Sequence, residues 1–318
     1  MFWKLKAVSD QIIGNPDYYE DIEGYYRYRN ILQEASPKKP RDFLSRGEFV
    51  VGGQALAPFG AANCVKDFIR TATFIRGIRD AIAHALEVFD ERPLEILYVG
   101  PGPYATLALP QTTQFHPDQI RFTLIERHQE SLDNAMAVID HFGARRYFSK
   151  FICDDAYFVG SRIMLRRAPD IVIMEVMNRA LYTEPQAALT RVMGPLCKIL
   201  IPEEVIVTGS FETDPPRDKY DMDLGEIARL NRNFQGKLDL HRQIPVRTAG
   251  PDAKHQVVLS TTVKVFGDHV IIPGKSIITR DRRIDVVPFS DAVDISSEAT
   301  LDFDYQMGKN PPDNFYFI

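Results

Sequence analysis

Glu175 and Glu184 stand nine residues apart in Asp170-Ile-Val-Ile-Met-Glu175-Val-Met-Asn-Arg-Ala-Leu-Tyr-Thr-Glu184, where a buried-strand pattern gives way to a polar loop. A strand that ends in one carboxylate, followed by an irregular segment that brings a second to the start of a helix, can aim both into one cleft. Two converging carboxylates suit a guanidinium, which offers planar paired donors and stays protonated, with a pKa of roughly 12.5–13.8. The plainer alternative is that Glu184 only favours a helix N-terminus and Glu175 only faces solvent.

A second constellation lies upstream. Leu94-Glu-Ile-Leu-Tyr-Val-Gly100-Pro-Gly102-Pro-Tyr104 reads as an apolar strand entering a glycine-bearing turn, the pattern of a nucleotide-type cofactor loop at the first strand of a doubly wound sheet. Gly100 and Gly102 would let the backbone approach a ligand closely, and a helix after the turn would offer its N-terminal amides. The next strand, Arg121-Phe-Thr-Leu-Ile-Glu126, ends in an acid 24 residues beyond Gly102, near the spacing at which a carboxylate accepts from ribose hydroxyls. The third strand closes on Asp154 and Asp155, either of which could accept from an adenine amino group. A dinucleotide dehydrogenase is the competing reading, with the third glycine of its fingerprint falling on Ala105.

Glycine turn, acid after the second strand and acids after the third together resemble the class I S-adenosylmethionine-dependent methyltransferases. The resemblance narrows to the protein arginine methyltransferase family, whose double-Glu loop carries two glutamates at this spacing after the fourth strand. Asp67-Phe-Ile-Arg70-Thr71 is similar to that family's Asp-x-x-Arg-Thr segment, which implies that Arg70 binds the cofactor's carboxylate. Lys198-Ile-Leu-Ile-Pro-Glu-Glu-Val resembles the family's entry to its fifth strand, and the match runs over about 59–209. The resemblance implies S-adenosyl-L-methionine as cofactor, a Rossmann-like domain followed by a β-barrel, and transfer of a methyl group to a guanidino nitrogen held by Glu175 and Glu184.

The chain departs from that pattern at several points. Tyr104 stands where the family's third loop glycine would lie, and residues 51–54 carry no counterpart of its aromatic lid. Gln186 replaces a pocket-shaping methionine, and the Thr-His-Trp loop has only a rough stand-in, His255 in Lys254-His-Gln-Val-Val-Leu. These departures favour a small guanidino metabolite, above all free L-arginine, as in the small-molecule arginine N-methyltransferases that resemble this family. Peptide arginine, a different small-molecule N- or O-methyltransferase, and a catalytically silent binding protein stay open.

The alternation of strand and helix predicts an α/β chain in three parts: an N-terminal helical segment over 1–60, a Rossmann-like methyltransferase domain over 61–211, and a smaller β-rich, barrel-like domain over 212–318. A helix is expected from Asn63, as N-cap, to about Phe89, carrying Arg70. Another is expected through Met222-Asp-Leu-Gly-Glu-Ile-Ala-Arg-Leu. The tyrosine-rich run Asp17-Tyr-Tyr-Glu-Asp-Ile-Glu-Gly-Tyr-Tyr-Arg-Tyr-Arg reads as a lid, a homodimer contact or ordinary packing. A net charge of −5, from 38 basic and 43 acidic residues without a long basic run, argues against nucleic-acid binding and mildly favours cationic partners. Cys64, Cys153 and Cys197 lack metal-ligand spacing and read as core thiols in a reducing compartment. With no secretory h-region and no membrane-length apolar run, the expectation is a cytoplasmic protein without a metal.

Overall fold

The computed structural model describes residues 1–14, 22–90, 92–163, 168–214, 221–250, 253–288, 298–308 and 314–317. The chain opens with α1 (Phe2–Gly14), α2 (Ile22–Ala35), a hairpin of β1 (Glu48–Val50) and β2 (Gly53–Ala55), and then α3 (Pro58–Cys64) and α4 (Phe68–Val88). Residues 15–21, which hold the first tyrosines of the aromatic run, lie outside the described residues. In α2, Tyr25 and Tyr28 turn inward at 3% and 0% exposure. The Tyr28 hydroxyl donates to the Thr106 carbonyl at 2.5 Å. Tyr28 is a packing residue, because a phenol buried with its hydroxyl bonded is worth more to the core than to solvent, whereas the Tyr25 ring packs on Phe68 at 5.6 Å between ring centres with its hydroxyl buried without a partner among the described residues.

The expected single helix from Asn63 is in fact two. Asn63 caps nothing; its side chain donates to the Phe59 carbonyl at 2.8 Å inside α3. Asp67 starts α4 instead, its Oδ1 accepting from the Arg70 amide at 3.2 Å. Every residue of α4 from Arg70 to Ile78 is buried, which a helix shows only when it is covered on all sides.

A five-stranded parallel sheet follows: β3 (Leu94–Val99), β4 (Ile120–Glu126), α5 (Gln129–His141), β5 (Phe148–Cys153), α6 (Ala156–Ile163), β6 (Ile171–Met174), α7 (Gln186–Met193) and β7 (Ile199–Ile201). Its order, β5-β4-β3-β6-β7, is that of a doubly wound, Rossmann-like sheet. Alternate side chains serve opposite faces, with Ile96, Tyr98 and Leu124 joining the core under α4 and α5, and Leu97, Val99 and Val172 joining α6 and α7.

The third layer is β-rich, from β8 (Glu204–Asp214), β9 (Met222–Asn231), β10 (Asp239–Arg247), β11 (Lys254–Phe266) and β12 (His269–Ile271) to β13 (Arg282–Pro288), β14 (Glu298–Gln306) and β15 (Asn314–Phe317). Its order is β10-β14-β15-β13-β11-β8-β9, with β12 beside β11. All pairs are antiparallel except β13 with β15. The end strands β9 and β10 are not paired with each other among the described residues, so over those residues the sheet expected to be barrel-like is open. Strand β8 crosses the boundary expected at 211, since the second sheet already begins at Glu204. The helix expected over 222–230 is strand β9. Cys197 is buried as expected, but Cys153 is exposed at the end of β5. No helix among the described residues is long and apolar enough to cross a membrane.

Candidate functional site

Parallel strands that all end at one edge bring the residues following them together. Gly100 follows β3, Glu126 ends β4, Asp154 and Asp155 follow β5, and Glu175 follows β6. All of them, with Gly102, Arg70 from α4 and Glu184 before α7, line one cavity of about 470 Å³. That volume is in the range of small-molecule sites.

The two glutamates of the loop after β6 share the cavity with Arg70. Arg70 Nη1 lies 2.9 Å from Glu175 Oε2, with the two side chains only 10% and 8% exposed. The other oxygen, Oε1, is buried without a hydrogen-bond partner among the described residues. Burial pushes the Glu175 carboxyl up to about 7 against the opposing pull of Arg70. Burial, reinforced by the charge of Glu175, pushes Glu184 up to about 8. The pair is thus short of positive charge: one cation serves two carboxyls.

The loop after β3 is built for close approach without donating to a ligand. Gly100 and Gly102 sit at φ 69° and 61°, and a Cβ on Gly100 would come within 2.5 Å of Val176 Cγ1. Pro101 and Pro103 have no N–H. The Gly100 amide is spent on the Ile125 carbonyl at 2.9 Å, and the Gly102 amide on Glu126 Oε2 at 3.1 Å. The α-helix expected after the turn is only a short 3-10 turn, Gly102–Tyr104, because Ala105 leaves the helical region at φ 47° and ends it. Tyr104, in place of a third glycine, turns away to pack edge-on against Phe43 at 6.3 Å between ring centres.

Glu126 accepts from the Gly102 amide and, through Oε1, from the His128 amide at 3.1 Å, while burial raises its pKa against those bonds. A carboxylate has about four lone-pair sites, so acceptor capacity faces the cavity. Asp155 is more occupied, accepting from the Tyr157 amide at 2.9 Å and from the Val51 amide at 3.0 Å. Asp154 pairs with Arg162 at 3.1 Å.

The loop from Glu175 to Glu184 carries strained backbone. Ala180 and Leu181 both lie at φ 52°, a region costing of order 1–3 kcal/mol for such residues. The second sheet holds them there. The Ala180 amide donates to Thr261 Oγ1 at 3.0 Å, its carbonyl accepts from the Tyr305 hydroxyl at 2.5 Å, and the Leu181 carbonyl accepts from the Gly308 amide at 2.8 Å. Residues 51–54 are the turn of the β1–β2 hairpin, Val51 and Gly52, and the first two residues of β2, where the Gln54 amide donates to the Thr183 carbonyl at 2.8 Å. Gln186 does not border the cavity; its buried side chain accepts from the Val176 amide at 3.2 Å and so braces the loop.

His255 is a correction. It lies on β11 at 2% exposure, stacked on Phe211 at 5.3 Å and edge-on to Phe317, with Nε2 accepting from the Ala249 amide. Burial lowers its pKa, and it borders the second sheet's core and not the cavity. Sequence reasoning missed four charged residues that do border it: Asp67, Arg127, Arg179 and Arg280. Only Asp67 had a local signal, a cap residue before an apolar helix. Among the described residues, no group of three or more His, Cys, Asp or Glu could hold a metal ion.

No family model matches the chain, and no curated protein matches it. Among solved structures it aligns with the N-terminal domain of EvdMO1 with SAH bound, at 18% identity over 55% of this chain and 59% of that one, with a TM-score of 0.27. It aligns also with the [4+2]-cyclase SpnF, at 15% identity over 43% and 44%, with a TM-score of 0.26. The chain spans less than two thirds of the length of either neighbour.

Proposed function

We propose that this chain is an S-adenosylmethionine-dependent N-methyltransferase acting on a guanidino group, with L-arginine or a similar small guanidino metabolite as acceptor. The observation that carries the cofactor assignment is the turn after β3, where no amide from Gly100 to Pro103 is free to meet a pyrophosphate. A dinucleotide is disfavoured there, whereas a phosphate-free nucleoside asks only for close backbone approach and a ribose acceptor. Gly100 and Gly102 supply the approach, Glu126 the acceptor, and Asp154 or Asp155 an acceptor for an adenine amino group. Arg70 is the cation for an amino-acid carboxylate.

When bound, the cofactor supplies a methyl group on a positively charged sulfur. The chain's own residues bind and orient the acceptor. Glu175 and Glu184, ionised, hold two guanidinium nitrogens by charge-assisted bonds and draw the positive charge toward them, leaving the third nitrogen's lone pair free. Methylation acidifies that nitrogen, and a carboxylate whose pKa already lies near neutrality can take the proton it releases.

Mass spectrometry of purified protein incubated with S-adenosylmethionine and either L-arginine or an arginine-rich peptide tests this reading. The expected result is methylated L-arginine, reduced about 10²–10³-fold in Glu175→Gln while S-adenosylhomocysteine affinity by calorimetry changes little. Binding of NAD without S-adenosylhomocysteine would overturn the cofactor assignment. Methylation of the peptide alone would move the acceptor from metabolite to protein.

A further inference from the structure

We propose that Arg179 and Arg280 form a carboxylate-binding rim that selects free guanidino amino acids over guanidines lacking an α-carboxylate. This inference rests on the guanidinium reading of Glu175 and Glu184.

Four arginines border the cavity: Arg70, Arg127, Arg179 and Arg280. Two have counter-ions, Arg70 with Glu175 at 2.9 Å and Arg127 with Glu48 at 2.6 Å. The guanidinium groups of Arg179 and Arg280 make no ion pair or hydrogen bond among the described residues. Both residues are exposed, while the Glu175 side chain is 8% exposed. Charge is therefore sorted by depth, with acids short of a cation on the floor and cations without an anion at the mouth. A ligand complementary to both ends carries a cation at one end and an anion at the other. The planar fork of an arginine matches a carboxylate in two-point contact.

Both arginines are mounted on braced backbone. Arg280 follows the 3-10 turn Ile277–Thr279, and Asp67 Oδ2 pins the start of that turn by accepting from Ser276 Oγ at 2.6 Å and from the Ile277 amide at 2.7 Å. The other oxygen of Asp67 caps α4 at the Arg70 amide. One carboxylate thus fixes the segments carrying Arg70 and Arg280. Arg179 opens the short turn Arg179–Leu181, which Thr261 and Tyr305 hold from the second sheet.

Calorimetry with S-adenosylhomocysteine present, comparing L-arginine with its decarboxylated form agmatine, tests the rim in the unmodified protein. L-arginine should bind roughly 10–100-fold more tightly, the range of a charge-assisted contact. Arg280→Ala and Arg179→Ala should each weaken L-arginine by about tenfold or more and leave agmatine and S-adenosylhomocysteine affinities in place. Equal affinities for the two guanidines, or equal losses of both in the variants, would overturn the rim and leave the guanidinium clamp standing. Loss of S-adenosylhomocysteine affinity in the variants would also overturn it, reassigning these arginines to the cofactor. If S-adenosylhomocysteine binds but neither guanidine does, the clamp itself fails and the rim with it.

Discussion

Glu175 and Glu184, with carboxyls raised to about 7 and about 8, give the site a direction in pH. A guanidinium is held by the ionised forms, so L-arginine affinity should rise as pH climbs through that interval and weaken toward about pH 6, measured by titration calorimetry at several pH values. The ligand-free protein should behave oppositely. Its folded form keeps protons that the unfolded chain releases above the ordinary glutamate value of 4.5, so this contribution to stability is present at acid pH and lost as pH rises through about 7–8. Pairing a rising affinity with a falling ligand-free melting temperature separates the clamp from a general pH effect. At this scale, strand-end acids were legible in the sequence because each follows an apolar run whose end fixes where its side chain lies. His255 had a contrary signal in plain view: with Val257 and Leu259 it keeps the two-residue alternation of an inward strand face, the mark of a core histidine. Arg280 had no signal at all, since only folding brings residue 280 to a cavity lined mostly by residues between Val50 and Leu189.

The hairpin of β1 and β2 is the element most exposed to a small substitution. A methyl on Gly53 would come within 2.6 Å of the Thr183 carbonyl oxygen and 2.7 Å of that of Gly308, both backbone atoms that cannot swing aside. Gly53→Ala should therefore cost about 1–3 kcal/mol of stability by thermal or urea unfolding and raise KM for the acceptor, because the atoms it displaces belong to the loop that carries Glu184. Strand β9 shows why elements were harder to read than sites. Its register against β8 shifts between Val207 and Thr208, leaving Ile227 as an extra residue, so Ile227, Ala228 and Leu230 all become buried. A bulge breaks strict alternation, and adjacent apolar residues then imitate a helical stripe. The break between α3 and α4 was hidden for another reason: the apolar spacing runs through it, and Asp67 decides it by using its carboxylate both as a cap and as an anchor for Ser276.

At the scale of the whole molecule, α4 packs on strands β11 and β12 and shares one hydrophobic core with the parallel sheet, with Gly77 close enough that a Cβ would meet Val265 Cγ1 at 2.6 Å. His269 on β12 reaches Asp80 of the same helix at 2.6 Å. The second sheet therefore acts as the mount for the loop from Glu175 to Glu184. Tyr305→Phe, which removes the donor to the buried Ala180 carbonyl, should cost about 1–3 kcal/mol and lower turnover more than S-adenosylhomocysteine affinity, as seen by comparing kcat with calorimetric Kd. Parallel order and crossover layout were readable from alternating strand and helix patterns, but the bonds from Thr261, Tyr305 and Gly308 were not, because no local pattern encodes contacts between residues so far apart in the chain. The contact between Arg70 and Glu175 has one more consequence. A newcomer that takes Glu175 from Arg70 performs an exchange of counter-ions, and an exchange conserves charge only if the newcomer is itself a cation. A neutral amide or urea of the same shape would strand two opposite charges on side chains only 10% and 8% exposed, at a cost on the order of several kcal/mol. If Glu175 receives the acceptor as proposed, a preference for a permanent cation is thus set by the Arg70–Glu175 pair before any ligand arrives.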